Sequence, residues 1–110
     1  MRFAGGWVIA AVLAAAPLQA QQGLRDVSGT VTDEHHEPLR GAVVYCENDA
    51  TQEVVTYLTD RGGNFRLRRL SGDLDYHVWA MYRGVVTKKR FLSKFDAKSQ
   101  REMDFVVRLR

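Results

Sequence analysis

From Asp26 onward, apolar residues recur with period two in short runs about ten residues apart, each run closed by turn-forming residues. An extended strand turns successive side chains to opposite faces, so this spacing belongs to half-buried strands and not to helices. Val27, Gly29 and Val31 alternate with Ser28, Thr30 and Thr32 to predict a first strand. Ala42–Glu47, Glu53–Thr59, Phe65–Leu70, Asp75–Tyr82, Val85–Leu92 and Glu102–Leu109 predict six more. The turn signals between them include Asp33–Gly41, with Pro38, and Asp60-Arg61-Gly62-Gly63-Asn64. No segment keeps a helical period for long; Lys94–Arg101 has room for one polar helical turn. The expectation is one all-β domain, a seven-stranded Greek-key sandwich.

The first twenty residues read differently. Met1-Arg2 is a short positive start, Gly5–Ala16 is an uncharged, mostly apolar run of 12 residues, Pro17 breaks it, and Ala20 ends it with a small residue. That order is the order of a cleavable secretory signal peptide. A stable bilayer span needs about 20 apolar residues. The division predicted is therefore a signal peptide over 1–20, a flexible leader over 21–25 and a sandwich over 26–110, with the mature chain periplasmic or extracellular. Cleavage after Ala20 would leave 90 residues with 15 basic and 13 acidic side chains. A single cysteine, Cys46, excludes an internal disulfide.

Several motifs have direct physical readings. Gly29 inside a strand has no side chain to pack, which points to a bulge or a close neighbour. Pro38 fixes φ in the first connection and Gly41 can supply a positive φ. Asp60 can accept hydrogen bonds from backbone N–H groups ahead of it and close the turn over Gly62-Gly63, after which Phe65 enters the core.

Gly29-Thr30-Val31-Thr32-Asp33 followed by Pro38-Leu39-Arg40-Gly41-Ala42-Val43-Val44, then Thr59-Asp60-Arg61-Gly62-Gly63-Asn64-Phe65-Arg66-Leu67 with Leu70, then Tyr76-His77-Val78 with Gly84, resemble in order and spacing the carboxypeptidase regulatory-like domain. The resemblance covers nearly all of Val27–Leu109 and implies a prealbumin-like (transthyretin-like) sandwich, here a stand-alone exported member. It also implies that the motif residues shape turns and core and carry no catalysis, so that no cofactor is expected. In multidomain relatives such a domain sits beside a peptidase or a transport barrel. The connection Ser71–Asp75 is longer than the short Gly turn usual in the family.

Several residues are of types that can carry chemistry. His35-His36, among Asp33, Glu34 and Glu37, has metal-ligating types, but adjacent side chains point apart in an extended chain, and the segment reads as a solvated acidic loop. Cys46 follows Ala42 and Val44 on the core face and reads as a small hydrophobe. No Gly-x-Ser-x-Gly elbow and no phosphate-cradling Gly loop before a helix is present. Prealbumin-like folds also carry intradiol dioxygenases with a two-Tyr, two-His iron site, which three histidines in all could hardly supply. No metal site is expected. Arg66, Arg68 and Arg69, and then Lys88-Lys89-Arg90, form local basic spots; the near-neutral balance of the mature chain argues for charged strand edges and against nucleic acid.

The aromatics are the remaining lead. If Tyr76, Val78 and Ala80 face inward, then His77, Trp79 and Met81 face outward, as Tyr45 does if Val44 faces inward. Tyr45, Trp79 and His77 are thus the candidate ligand- or partner-binding residues. The function expected is that of a non-enzymatic exported interaction module acting on an envelope or extracellular protein. The alternatives are a carbohydrate- or small-ligand-binding sandwich and, last, a small metal-dependent enzyme. A bland reading of the same aromatics is cover for a sheet face, or packing against the Lys94–Arg101 segment through Phe91 and Phe95.

Overall fold

A computed structural model describes residues 23–96 and 98–109, and the predicted signal peptide lies outside them. The described residues form nine strands: β1 (Leu24–Asp33), β2 (Val43–Asn48), β3 (Val54–Leu58), β4 (Asn64–Ser71), β5 (Tyr76–Tyr82), β6 (Val85–Val86), β7 (Arg90–Leu92), β8 (Gln100–Glu102) and β9 (Phe105–Val107). One sheet has the order β4-β1-β8, with β9 also on β1; the other has the order β3-β2-β5-β6, with β7 also on β5. The two enclose a core of Val27, Val31, Leu39, Val44, Phe65, Leu67, Val78, Leu92, Met103, Phe105 and Val107. Each side chain of this kind contributes roughly 1.5–3 kcal/mol when fully buried. The sandwich is the predicted one.

The count of nine strands, where seven were expected, has two local causes. The first is Thr87. Its backbone N–H donates to the Ala80 carbonyl and its hydroxyl accepts from the Ala80 N–H, so a side chain takes over one rung of the β5 ladder. The register changes by one residue, from Met81↔Val86 to Tyr76↔Leu92, and the predicted strand over Val85–Leu92 divides into β6 and β7. The second is Gly29. β8 and β9 both run parallel to β1, and between them the Met103 N–H donates to the Ser28 carbonyl. The Met103 carbonyl oxygen lies 1.7 Å from where a Gly29 Cβ would stand. Asp104 Oδ1 accepts from the Thr30 N–H and hydroxyl, which pins the break. The predicted strand over Glu102–Leu109 is thereby divided, although Met103, Phe105 and Val107 still face the core.

The start of the domain also differs from the expectation. β1 begins at Leu24, inside the segment assigned to a leader, and Arg25 is buried. Its guanidinium donates to the carbonyls of Ser93, Leu74 and Ser71, tying β1 to the end of β4 and to the connections that follow β4 and β7. Arg25 therefore belongs to the fold, because three carbonyl acceptors replace water around its charge.

The long connection after β1 is built by one carboxylate. Asp33 Oδ1 accepts from the N–H groups of His35 and Glu37, and the Leu39 N–H returns to the Val31 carbonyl. Thr59, buried where this connection meets β2, donates its hydroxyl to the Leu39 carbonyl and accepts from the Ala42 N–H. Gly63 (φ 75°) packs against Pro38 and the Val31 carbonyl, a left-handed site closed to other residues by both backbone angle and space.

Gly29→Ala is expected to lower unfolding free energy by about 3 kcal/mol, since the added methyl and the Met103 carbonyl cannot share one position. Urea denaturation followed by circular dichroism checks this.

Candidate functional site

The outer face of the β3-β2-β5 sheet is where the sequence-predicted residues meet. Strand pairing sets them in rows: Leu58, Val43, Met81 and Val86; then Thr56, Tyr45 and Trp79; then Val54, Glu47, His77 and Phe91. The inward partners Val44, Cys46, Val78 and Ala80 are buried, so the period-two pattern leaves these residues no other side.

Tyr45 and Trp79 stack across β2 and β5, with centroids 5.2 Å apart and planes within 13°. The Lys89 ammonium stands 4.4 Å over the indole centroid and reaches the Glu47 carboxylate at 3.8 Å. His77 Nε2 lies 3.0 Å from Asp49 Oδ1, and the Phe91 ring is 5.2 Å from the imidazole. Tyr45, His77 and Trp79 are half-buried, while Val54, Leu58, Val86 and Phe91 around them are exposed. The structure thus brings the three predicted residues onto one face. It adds an aliphatic rim and a lysine clamp that the sequence reading did not assign to the site. The alternation of Val54, Thr56 and Leu58 is the signal that could have found the β3 part of the rim. Phe91 lies on this face opposite His77, and Phe95 is 84% exposed.

The remaining candidates lie elsewhere. His35 and His36 are exposed in the turn organised by Asp33, and among the described residues no group of three or more His, Cys, Asp or Glu could hold a metal ion. Arg66 pairs with Asp26 on the first sheet, while Lys89 and Arg90 lie over Trp79 and Phe105, so the two basic spots do not form one surface. Cys46 is buried, and desolvation pushes its thiol up to about 11. Such a thiol stays protonated at neutral pH and is a poor nucleophile.

The carboxylates have structural tasks. Asp60 is held below the ordinary range by the N–H of Asn64 and then that of Gly62, and Asp33 by the N–H of Glu37 and then that of His35. A carboxyl whose folded pKa is depressed stabilises the fold above its unfolded pKa, and that stability is lost as pH falls through the folded value.

A family model described as the carboxypeptidase regulatory-like domain matches residues 26–108. Among curated proteins no sequence match was found. Solved structures share the fold. The dioxygenase domain of a dioxygenase–carbohydrate-binding protein fusion from Streptomyces sp. SirexAA-E has a TM-score of 0.60 at 20% identity, over 90% of this chain and 86% of that one. Catechol 1,2-dioxygenase from Pseudomonas arvilla C-1 has 0.56 at 12%, over 80% of this chain. A C-terminal fragment of pilus adhesin SpaC from Lactobacillus rhamnosus GG has 0.55 at 10%, over 79% of this chain and 45% of that one. The chain spans 53% of the catechol dioxygenase, and at these identities the likeness is one of fold alone.

Two outcomes are expected from this chemistry. Iodoacetamide should leave Cys46 unmodified in the native protein and alkylate it fully in urea, read by intact mass. Asp60→Asn should flatten the loss of thermal stability on acidification through the carboxylate range, because the variant has no charge to protonate there.

Proposed function

The chain belongs to the carboxypeptidase regulatory-like domain family, and from that membership we propose that it is a non-enzymatic, exported interaction module. It engages a protein partner in the cell envelope or outside the cell through the outer face of the β3-β2-β5 sheet. The observation that carries this is the composition of that face: a Tyr45–Trp79 stack among exposed Val54, Leu58, Val86 and Phe91. A contiguous aromatic and aliphatic patch with a polar border has the make-up of a protein interface core. The protonated thiol of Cys46 and the turn-bound carboxylates of Asp33 and Asp60 support a role without catalysis. A fold shared with an adhesin fragment is compatible with an extracellular setting.

A carbohydrate ligand is the second reading, favoured by the flat Tyr45–Trp79 pair. A sugar ring would have to compete with the Lys89 ammonium for the indole face.

Cross-linking in envelope extracts should yield a defined partner with the wild type, weakened at least tenfold by Trp79→Ala or Phe91→Ala and unchanged by Arg68→Ala, since aromatic anchors at an interface centre contribute about 2 kcal/mol or more. A partner retained by both aromatic variants would remove this face from the function. Saturable Trp79 fluorescence quenching by oligosaccharides would select the second reading. The purified exported protein should begin at Gln21 by intact mass; a chain that keeps residues 1–20 would contradict export through a cleaved signal.

A further inference from the structure

β3 is an edge strand without the usual protection. Among the described residues it pairs only with β2, and Val54-Val55-Thr56-Tyr57-Leu58 contains no charge, no proline and no glycine. All five residues are exposed, with Val54 at 46%, Val55 at 53%, Tyr57 at 40% and Leu58 at 63%. Charge stands on β4 (Arg66, Arg68, Arg69), at the start of β7 (Arg90) and on β8 (Arg101, Glu102), while the other uncharged strands at the sheet margins, β6 and β9, are only two and three residues long. Soluble sheet proteins normally block strand addition with charge or with very short edge strands, so a fully exposed, uncharged edge of five residues is an opening.

Its backbone is set for a particular pairing. The Thr59 N–H donates to the Ala42 carbonyl and the Asn48 N–H to the Glu53 carbonyl. With the register Val43↔Leu58 to Glu47↔Val54, the antiparallel alternation turns the N–H and C=O of Val55 and Tyr57 toward β2. Those of Val54, Thr56 and Leu58 point away from the sheet.

We propose that β3 pairs antiparallel with β3 of a second copy of this chain, about a two-fold axis at Thr56, joining two sheets into one. Thr56 then lies opposite Thr56, and Val54 opposite Leu58 of the second copy. All three pairs are of the hydrogen-bonded type, which gives six N–H···O=C bonds. On the other side of the strand Val55 meets Tyr57 of the second copy, and these two residues, turned toward the core side but not covered by their own core, are covered. No like charges oppose one another. Glu53 of each copy comes opposite the uncharged Thr59 of the other. The strand is thus complementary to itself, as a two-fold interface requires. This goes beyond the interaction face proposed above: it uses the edge of β3, a different partner and a different readout, so each can fail alone.

Sedimentation of the purified protein from about 1 µM to about 1 mM should show the mass rising from one chain toward two, the behaviour of a small interface. Thr56→Pro removes the central outward N–H without touching the β2 ladder, and Thr56→Lys sets two ammonium groups across the axis. Each should weaken association at least tenfold, with the circular dichroism spectrum and the midpoint of the dilute monomer kept. If Thr56→Pro fails to fold, Thr56→Lys alone carries the comparison. A wild type that stays single-chain at the highest concentration would overturn the proposal, whether or not it captures a foreign strand. So would a dimer that persists unchanged in the folded variants.

Discussion

The approach of the Met103 carbonyl to Gly29 is the contact on which the first sheet depends. β1 is the strand that carries β4 on one side and β8 and β9 on the other. The returning chain can lie beside β1 only if Gly29 presents no side chain, because the carbonyl occupies that space. From this contact follow the parallel pairing of the chain's last strands, the division into β8 and β9, and the burial of Met103 and Phe105 over the opposite sheet. A larger residue would separate β1 from its parallel neighbours and open the core from one side.

The second sheet is organised by β5. β2 pairs along one side of it, β6 and β7 along the other, and its inward residues Val78 and Ala80 are fully buried. The aromatic face is the reverse of that packing: burial of Val44, Val78 and Ala80 obliges Tyr45, His77 and Trp79 to emerge on the outside. Lys89 then lies over the indole, and its stem and charge close part of the apolar face. The site and the core are two sides of one alternation, and neither can be shifted by a residue without inverting the other.

Polar chemistry is concentrated in the connections. Asp33 and Asp60 each gather two backbone N–H groups, Thr59 joins Leu39 to Ala42, and Arg25 gathers three carbonyls. Such groups, with the backbone–backbone bonds of the turns, satisfy backbone polarity where strands end.

The period-two pattern predicted the sandwich, the inward set on β2 and β5 and the outward placement of Tyr45, His77 and Trp79, while turn and glycine chemistry predicted the Asp60 turn and, at Gly29, a bulge or a close neighbour. These are local consequences of strand geometry and turn chemistry. Tertiary structure alone decided that Met103 is the neighbour, that Thr87 breaks the sixth predicted strand, and that Arg25 belongs to the domain. It also decided that Lys89 lies over Trp79 and that β3 ends its sheet as an uncharged edge. Each of those depends on residues far apart in the chain meeting in space, and alternation along a strand carries no information about which strand will lie beside it.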